Sequence, residues 1–87
     1  MGQYEIIKIL EKTNHPMSRS EIAKILKAPP EKVSNIIKRM LKGNDIECIE
    51  LGREQSNKIL QKRISISVSR RTRFYYLAGK KFNKDVV

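Results

Sequence analysis

The sequence predicts an α+β domain in which three helices precede a basic β-hairpin. Two observations carry that expectation. Up to Asp45 the apolar residues recur at spacings of three and four, in three stretches separated by proline-containing breaks, and after Asp45 they alternate with polar residues. The charge is also lopsided. Of a net +10 on 87 residues, positions 1–52 hold 9 Lys+Arg and 7 Asp+Glu, whereas positions 53–87 hold 10 and 2. The first part reads as a folded body and the second as a charged instrument.

The first helix runs from Tyr4 to Lys12. Ile6, Ile7, Ile9 and Leu10 form a broad apolar face among Glu5, Lys8 and Glu11. Pro16 disfavours helical geometry at His15, so the helix ends near Thr13. Ser18 with Glu21 three residues on is a capping box: the hydroxyl accepts from a free backbone N–H, and the carboxylate returns to the cap's own N–H. Ile22, Ala23, Ile25 and Leu26 continue a second helix over about 19–27, which Pro29 and Pro30 end. Pro30 also suits the first position of a third helix, where its missing N–H costs nothing. In that helix Val33, Ile36, Ile37, Met40 and Leu41 form the clearest apolar stripe in the chain, and Gly43-Asn44 supplies the stop. The opposite face carries Glu31, Asn35, Lys38, Arg39 and Lys42, flanked by Lys32 and Ser34.

Three segments beyond Asp45 have strand character: 46–51, Ile64 to Val68 with its strict serine alternation, and 73–78 with Phe74-Tyr75-Tyr76. Direct pairing of the first and last would enclose about 20 residues, too many for a structureless loop in a compact domain. A turn or two of helix around 54–62, then a strand at 64–68 hairpinned onto 73–78, would fill the gap; the pairing stays open. Residues 1–79 are expected to form one domain and 80–87 a basic, loosely held tail.

The composition excludes much. So short a chain has no room for a catalytic domain beside a binding domain. His15 and Cys48 are the only histidine and cysteine, so the usual metal-site rules and catalytic pairings find no material. A non-enzyme without cofactor or small-molecule ligand is expected. Cys48 reads as a small strand residue, with a redox-sensing role as the alternative. No apolar run approaches a membrane span, and the N-terminus lacks the apolar segment of a signal peptide, so a cytoplasmic, nucleoid-associated location is expected. The positive surplus favours a polyanionic partner, nucleic acid before an anionic membrane surface.

Helix two with Pro16 to Lys24, helix three with Pro29 to Met40, and the return strand Arg70-Arg71-Thr72-Arg73-Phe74-Tyr75-Tyr76-Leu77 together resemble the winged helix-turn-helix family of DNA-binding domains. The likeness covers residues 4–78 and has the flavour of small transcription regulators of archaea and their viruses. The segment 52–69 is long for a simple wing. The resemblance implies helix three in the major groove of double-stranded DNA and the wing on the backbone or minor groove. Asn35 then presents its amide to adenine, Lys38 or Arg39 donates to guanine, and Ser34 suits either role. Backbone contacts fall to Ser18 and Arg19 at the start of helix two, to Lys32 and Lys42, and to Arg53, Arg63, Arg70, Arg71 and Arg73.

Each of these has a plainer alternative. Lys38, Arg39 and Lys42 can be a solvated face, Ser18 only a cap, and the arginines a solubilising surface. Two other functions compete with a sequence-specific regulator: a sequence-neutral architectural or RNA-binding module with Phe74 and Tyr75 as stackers, and a protein-interaction adaptor. Tyr4, Ile7 and Ile9 widen the first helix's apolar face, which suggests a homodimer through it.

Overall fold

Helix boundaries in the computed structural model, which describes residues 2–13 and 15–80, fall where the sequence withdraws a donor or accepts a left-handed residue. Helix α1 (Gln3–Lys12) closes with the Thr13 N–H donating to Ile9 O at 3.1 Å. Met17–Ser18 is a two-residue strand, β1, and α2 (Arg19–Leu26) starts at once behind it. The capping box forms: Glu21 N donates to Ser18 Oγ and Ser18 N to Glu21 Oε1, both at 3.2 Å. Lys27 ends α2 in the left-handed region, φ 54°. The N–H groups of Lys27 and Ala28 turn back to the carbonyls of Lys24 and Ala23, the reciprocal bonding of a left-handed C-terminal cap. Helix α3 (Pro30–Lys42) places Pro30 in its first turn. The left-handed residue at its far end is Asn44, φ 61°, and Gly43 keeps φ −84°. Asp45 N then donates to Met40 O and Asn44 N to Leu41 O, which closes the helix a second time in the same manner.

Strand β2 (Ile46–Leu51) pairs antiparallel with β3 (Thr72–Leu77), from Ile46 opposite Leu77 to Leu51 opposite Thr72. The other side of β3 takes β1, with Met17 opposite Tyr75, so the sheet order is β1-β3-β2. Between β2 and β3 the helix expected around 54–62 forms and is longer than expected, whereas the strand expected behind it is absent. Residues Arg53–Ile64 form a three-turn helix, α4, so the described residues hold four helices and a three-stranded antiparallel sheet, rather than three helices and a plain hairpin. No strand forms at 64–68. Glu, Gln, Lys, Arg and Leu between 53 and 63 are good helix formers, and Ser65, left-handed at φ 54°, ends the helix. The chain then folds back on α4: Val68 N donates to Asn57 Oδ1 at 2.6 Å and Gln61 Nε2 donates to Ser67 Oγ at 3.0 Å. These bonds, and no strand partner, hold Ser67 and Val68.

The register gives the sheet two faces. Ile46 and Tyr75 join Met17 and the inner faces of the first three helices in one buried cluster, with Ile6, Leu10, Ile22, Val33, Ile36, Ile37 and Met40, and the partly buried Leu77 packs against it. Each such side chain contributes roughly 1.5–3 kcal/mol on burial. Ile49 and Phe74 point to the opposite face. There α4 is tied to the end of β2 by Ser56 Oγ donating to Leu51 O at 3.1 Å, and to the chain before β1 by Arg63 Nη1 donating to Pro16 O at 3.0 Å. The helix therefore crosses the back of β3, where Leu60 and Phe74 are both fully buried.

Two expectations change in detail. Ile7 and Ile9 pack against the intramolecular cluster, which leaves Tyr4 as the exposed large apolar residue of α1, with Lys8 Nζ stacked 4.8 Å from its ring centre. Lys80, assigned to the tail, docks on the end of α1: its Nζ donates to Leu10 O, Glu11 O and Thr13 O at 2.9, 3.2 and 2.7 Å. The rest of that tail, 81–87, lies outside the described residues.

Candidate nucleic-acid interface

Along α3 the residues Val33, Ile36, Ile37 and Met40 face the core. One flank of the helix, Ser34, Lys38 and Leu41, therefore looks toward the 67–73 segment. Between them lies an open cleft of about 890 Å³, with Tyr75 and Ile37 among the residues that line it. The start of α2 forms its end wall. Among the described residues five cations line it, namely Arg19, Lys38, Arg70, Arg71 and Arg73, against one carboxylate, Glu50. Low-dielectric walls around charges of one sign concentrate the potential, so such a cleft attracts anions more strongly than the same charges on a convex surface.

Several side chains at this site are held by internal bonds. Arg19 Nη1 donates to Ser34 Oγ at 2.9 Å, which joins α2 to the exposed flank of α3. Tyr75 is nearly buried at 8% exposure. Burial pushes its phenol above the ordinary value and Cys48, opposite it on β2, adds to the rise; Arg73 and Arg19 pull the other way, Arg73 also through a hydrogen bond. The phenol oxygen thus lies within the influence of both arginines. Glu50 accepts from Arg71 Nη1 at 3.5 Å and its other oxygen is 3.6 Å from Arg73 Nε.

This chain matches no known family model, no curated protein and no solved structure. Its own geometry sorts the expected contact residues. Arg19, Ser34, Lys38, Arg70, Arg71 and Arg73 come together in the cleft. At roughly 100° per residue, Asn35 and Lys42 lie at the outward apex of α3, while Lys32 and Arg39 lie on the flank turned away from the cleft. All four are exposed. Arg53 is exposed at the start of α4 and does not line the cleft; it borders a shallow recess with its own neighbours Gly52, Glu54, Gln55 and Lys58.

Two expected backbone contacts need correction. Ser18 is 1% exposed, and its hydroxyl is spent on the capping box. Arg63 turns inward: Nη1 donates to both carboxylate oxygens of the buried Glu21, at 3.2 and 3.3 Å, as well as to Pro16 O. Ser18 still lines the wall of the cleft, but its hydroxyl and the Arg63 Nη1 are both engaged within the protein. Conversely, Glu50 was not expected in the site, and Tyr75 was expected there only as a stacking residue of the RNA-binding alternative. The signal for both is the pairing of 46–51 with 73–78, which sets Glu50 beside Arg73 and turns Tyr75 inward.

What the arrangement offers chemically is a set of hydrogen-bond donors for anions. Guanidinium groups and hydroxyls supply them from several directions, and one wall is a helix whose apex is exposed. Among the described residues no group of three His, Cys, Asp or Glu could hold a metal ion, and no helix is long and apolar enough to cross a membrane.

Proposed function

We propose that this chain is a winged-helix protein that binds double-stranded DNA and acts, without enzymatic activity, as a sequence-specific transcription regulator. The observation that carries the reading is the basic cleft between α3 and the 67–73 segment. A major groove about 12 Å wide admits an α-helix, and the minor groove beside it is about 6 Å wide. The strand that separates the two grooves must then pass between a helix in the first and a loop at the second. In this reading α3 enters the major groove, the 67–73 segment acts as the wing, and the intervening strand runs through the cleft over Arg19, Arg70, Arg71 and Arg73. Asn35 and Lys38 face base edges, with Ser34 beside them. Lys32 faces the phosphates of the far strand, and so does Arg39, expected from the sequence to read a base, because its flank of α3 is turned away from the cleft.

The fourth helix fits this role. It covers the back of the sheet and carries the wing as part of the fold. A homodimer through α1 would rest mainly on Tyr4, since Ile7 and Ile9 are used within the chain; a monomer mass in light scattering at high concentration would remove that element and leave the cleft untouched.

The test is selection of bound duplexes from a random pool at two salt concentrations, followed by anisotropy on the winners. One preferred duplex, bound much more tightly than unrelated DNA at both salts, supports the reading. Equal affinity for all duplexes removes the specificity, and better competition by single-stranded RNA than by duplex favours an RNA-binding module.

A further inference from the structure

Among the described residues Glu50 is the one carboxylate lining the basic cleft. The β2–β3 register sets it opposite Arg73, and its two oxygens lie 3.5 Å from Arg71 Nη1 and 3.6 Å from Arg73 Nε. Two of the five cleft cations are thus paired within the protein. Lys38 and Arg70 make no ion pair among the described residues. The Glu50 pairs are long and exposed, with side-chain exposures of 78% for Arg71, 60% for Arg73 and 43% for Glu50, so each is weak in water and easily exchanged. Their place matters more than their strength, because a phosphate backbone entering the cleft competes with Glu50 for these two guanidinium groups.

Resting on the DNA-binding reading above, we propose that Glu50 is an internal competitor for the phosphate backbone, which holds Arg71 and Arg73 in the unbound protein and limits affinity for any duplex. Once the arginines turn to phosphates, the carboxylate is left facing like charge. The backbone is the same in every sequence, so the penalty applies to every duplex equally. Its effect is to keep sequence-neutral complexes short-lived, so that occupancy depends on the side chains α3 presents to the bases. Without this carboxylate the same cleft would hold any DNA longer.

The experiment compares wild type with Glu50→Gln, by anisotropy on a preferred and an unrelated duplex at near-physiological salt. Glu50→Gln is expected to bind both about three- to tenfold more tightly, the scale of two exposed ion pairs. That gain is expected to vanish in an Arg71→Gln/Arg73→Gln background. Thermal melting of each variant establishes that the fold is kept. Unchanged or weaker binding by Glu50→Gln overturns the proposal, as does a gain that persists without the two arginines, since the carboxylate would then act as general charge. Those results leave DNA binding itself standing. Failure of the wild type to bind any duplex overturns both.

Discussion

Arg63 Nη1 donates to both carboxylate oxygens of Glu21, 42 positions away in sequence, and the same carboxylate closes the capping box at the start of α2. The last turn of α4 is thereby fixed to the N-terminus of α2. The 65–71 loop begins one residue after α4 ends, and Arg19 follows Ser18 directly. The two ends of the cleft therefore share one anchor. Arg63→Gln strands a carboxylate that is almost fully buried, and loss of one member of such a pair costs about 2–4 kcal/mol after discounting for the partial exposure of Arg63. Urea denaturation is expected to show this loss, and Glu21→Gln combined with Arg63→Gln is expected to recover part of it.

Lys80 provides a second long-range tie. Its ammonium donates to three carbonyls at the end of α1, where the last turn leaves acceptors without helical partners and the helix dipole favours a cation. Lys80→Met keeps most of the aliphatic stem and removes the donors. It is expected to lower stability by about 1–2 kcal/mol, with amide exchange accelerating first in the last turn of α1. A change confined to residues after 80 would refute this role.

How much of this was legible in the sequence depends on how locally each feature is encoded. The first three helices announce their own ends through Pro16, the Ser18–Glu21 box, Pro29-Pro30 and Asn44, all of which act within a few residues. The segment 53–71 carries conflicting local signals. Residues 53–63 have good helix formers and almost no apolar stripe, while Ile64, Ile66 and Val68 alternate as a strand would. The conflict is decided by Asn57, whose Oδ1 accepts the Val68 N–H that a neighbouring strand would have taken, with Gln61 Nε2 donating to the Ser67 hydroxyl beside it. The same holds at the site. Arg19, Lys38 and the cluster at 70–73 are visible as charge. The inward turn of Arg63 and the presence of Glu50 depend on residues far away in sequence, and no spacing rule reports them.

Tyr75 gives the fold a dependence on alkaline pH. Its phenol is raised above the ordinary tyrosine value in the folded state, chiefly by burial, and Tyr76 is raised for the same first reason, with Glu47 adding to it. A group whose folded value exceeds its unfolded value stabilises fully while both states are protonated. The stabilisation is lost as pH rises through the unfolded value, about 10, toward the folded one. Melting temperature is expected to fall over that window. Tyr75→Phe is expected to fall less steeply above about pH 10. Parallel curves for the two proteins would show that Tyr75 does not contribute to the alkaline loss.

The division of labour along α3 yields the sharpest test of the binding reading. Asn35 sits at the outward apex and Arg39 on the flank away from the cleft, so the two should fail differently although they are one helical turn apart. Removing an apex amide that pairs with a base relaxes preference at one position, at a cost of about 1–3 kcal/mol on the preferred duplex and little on unrelated DNA. Removing a phosphate contact weakens all duplexes alike and reduces the slope of log affinity against log salt by about 0.9. Asn35→Ala is therefore expected to behave in the first way and Arg39→Gln in the second. Lys38 lies on the cleft side of the apex, within reach of both a base edge and the near strand, so Lys38→Gln should show a share of each effect. Should Arg39→Gln instead change base preference while Asn35→Ala leaves it intact, α3 would have to lie in the groove rotated toward its far flank. The near strand could not then follow the cleft, and the arginines at 70, 71 and 73 would need another partner.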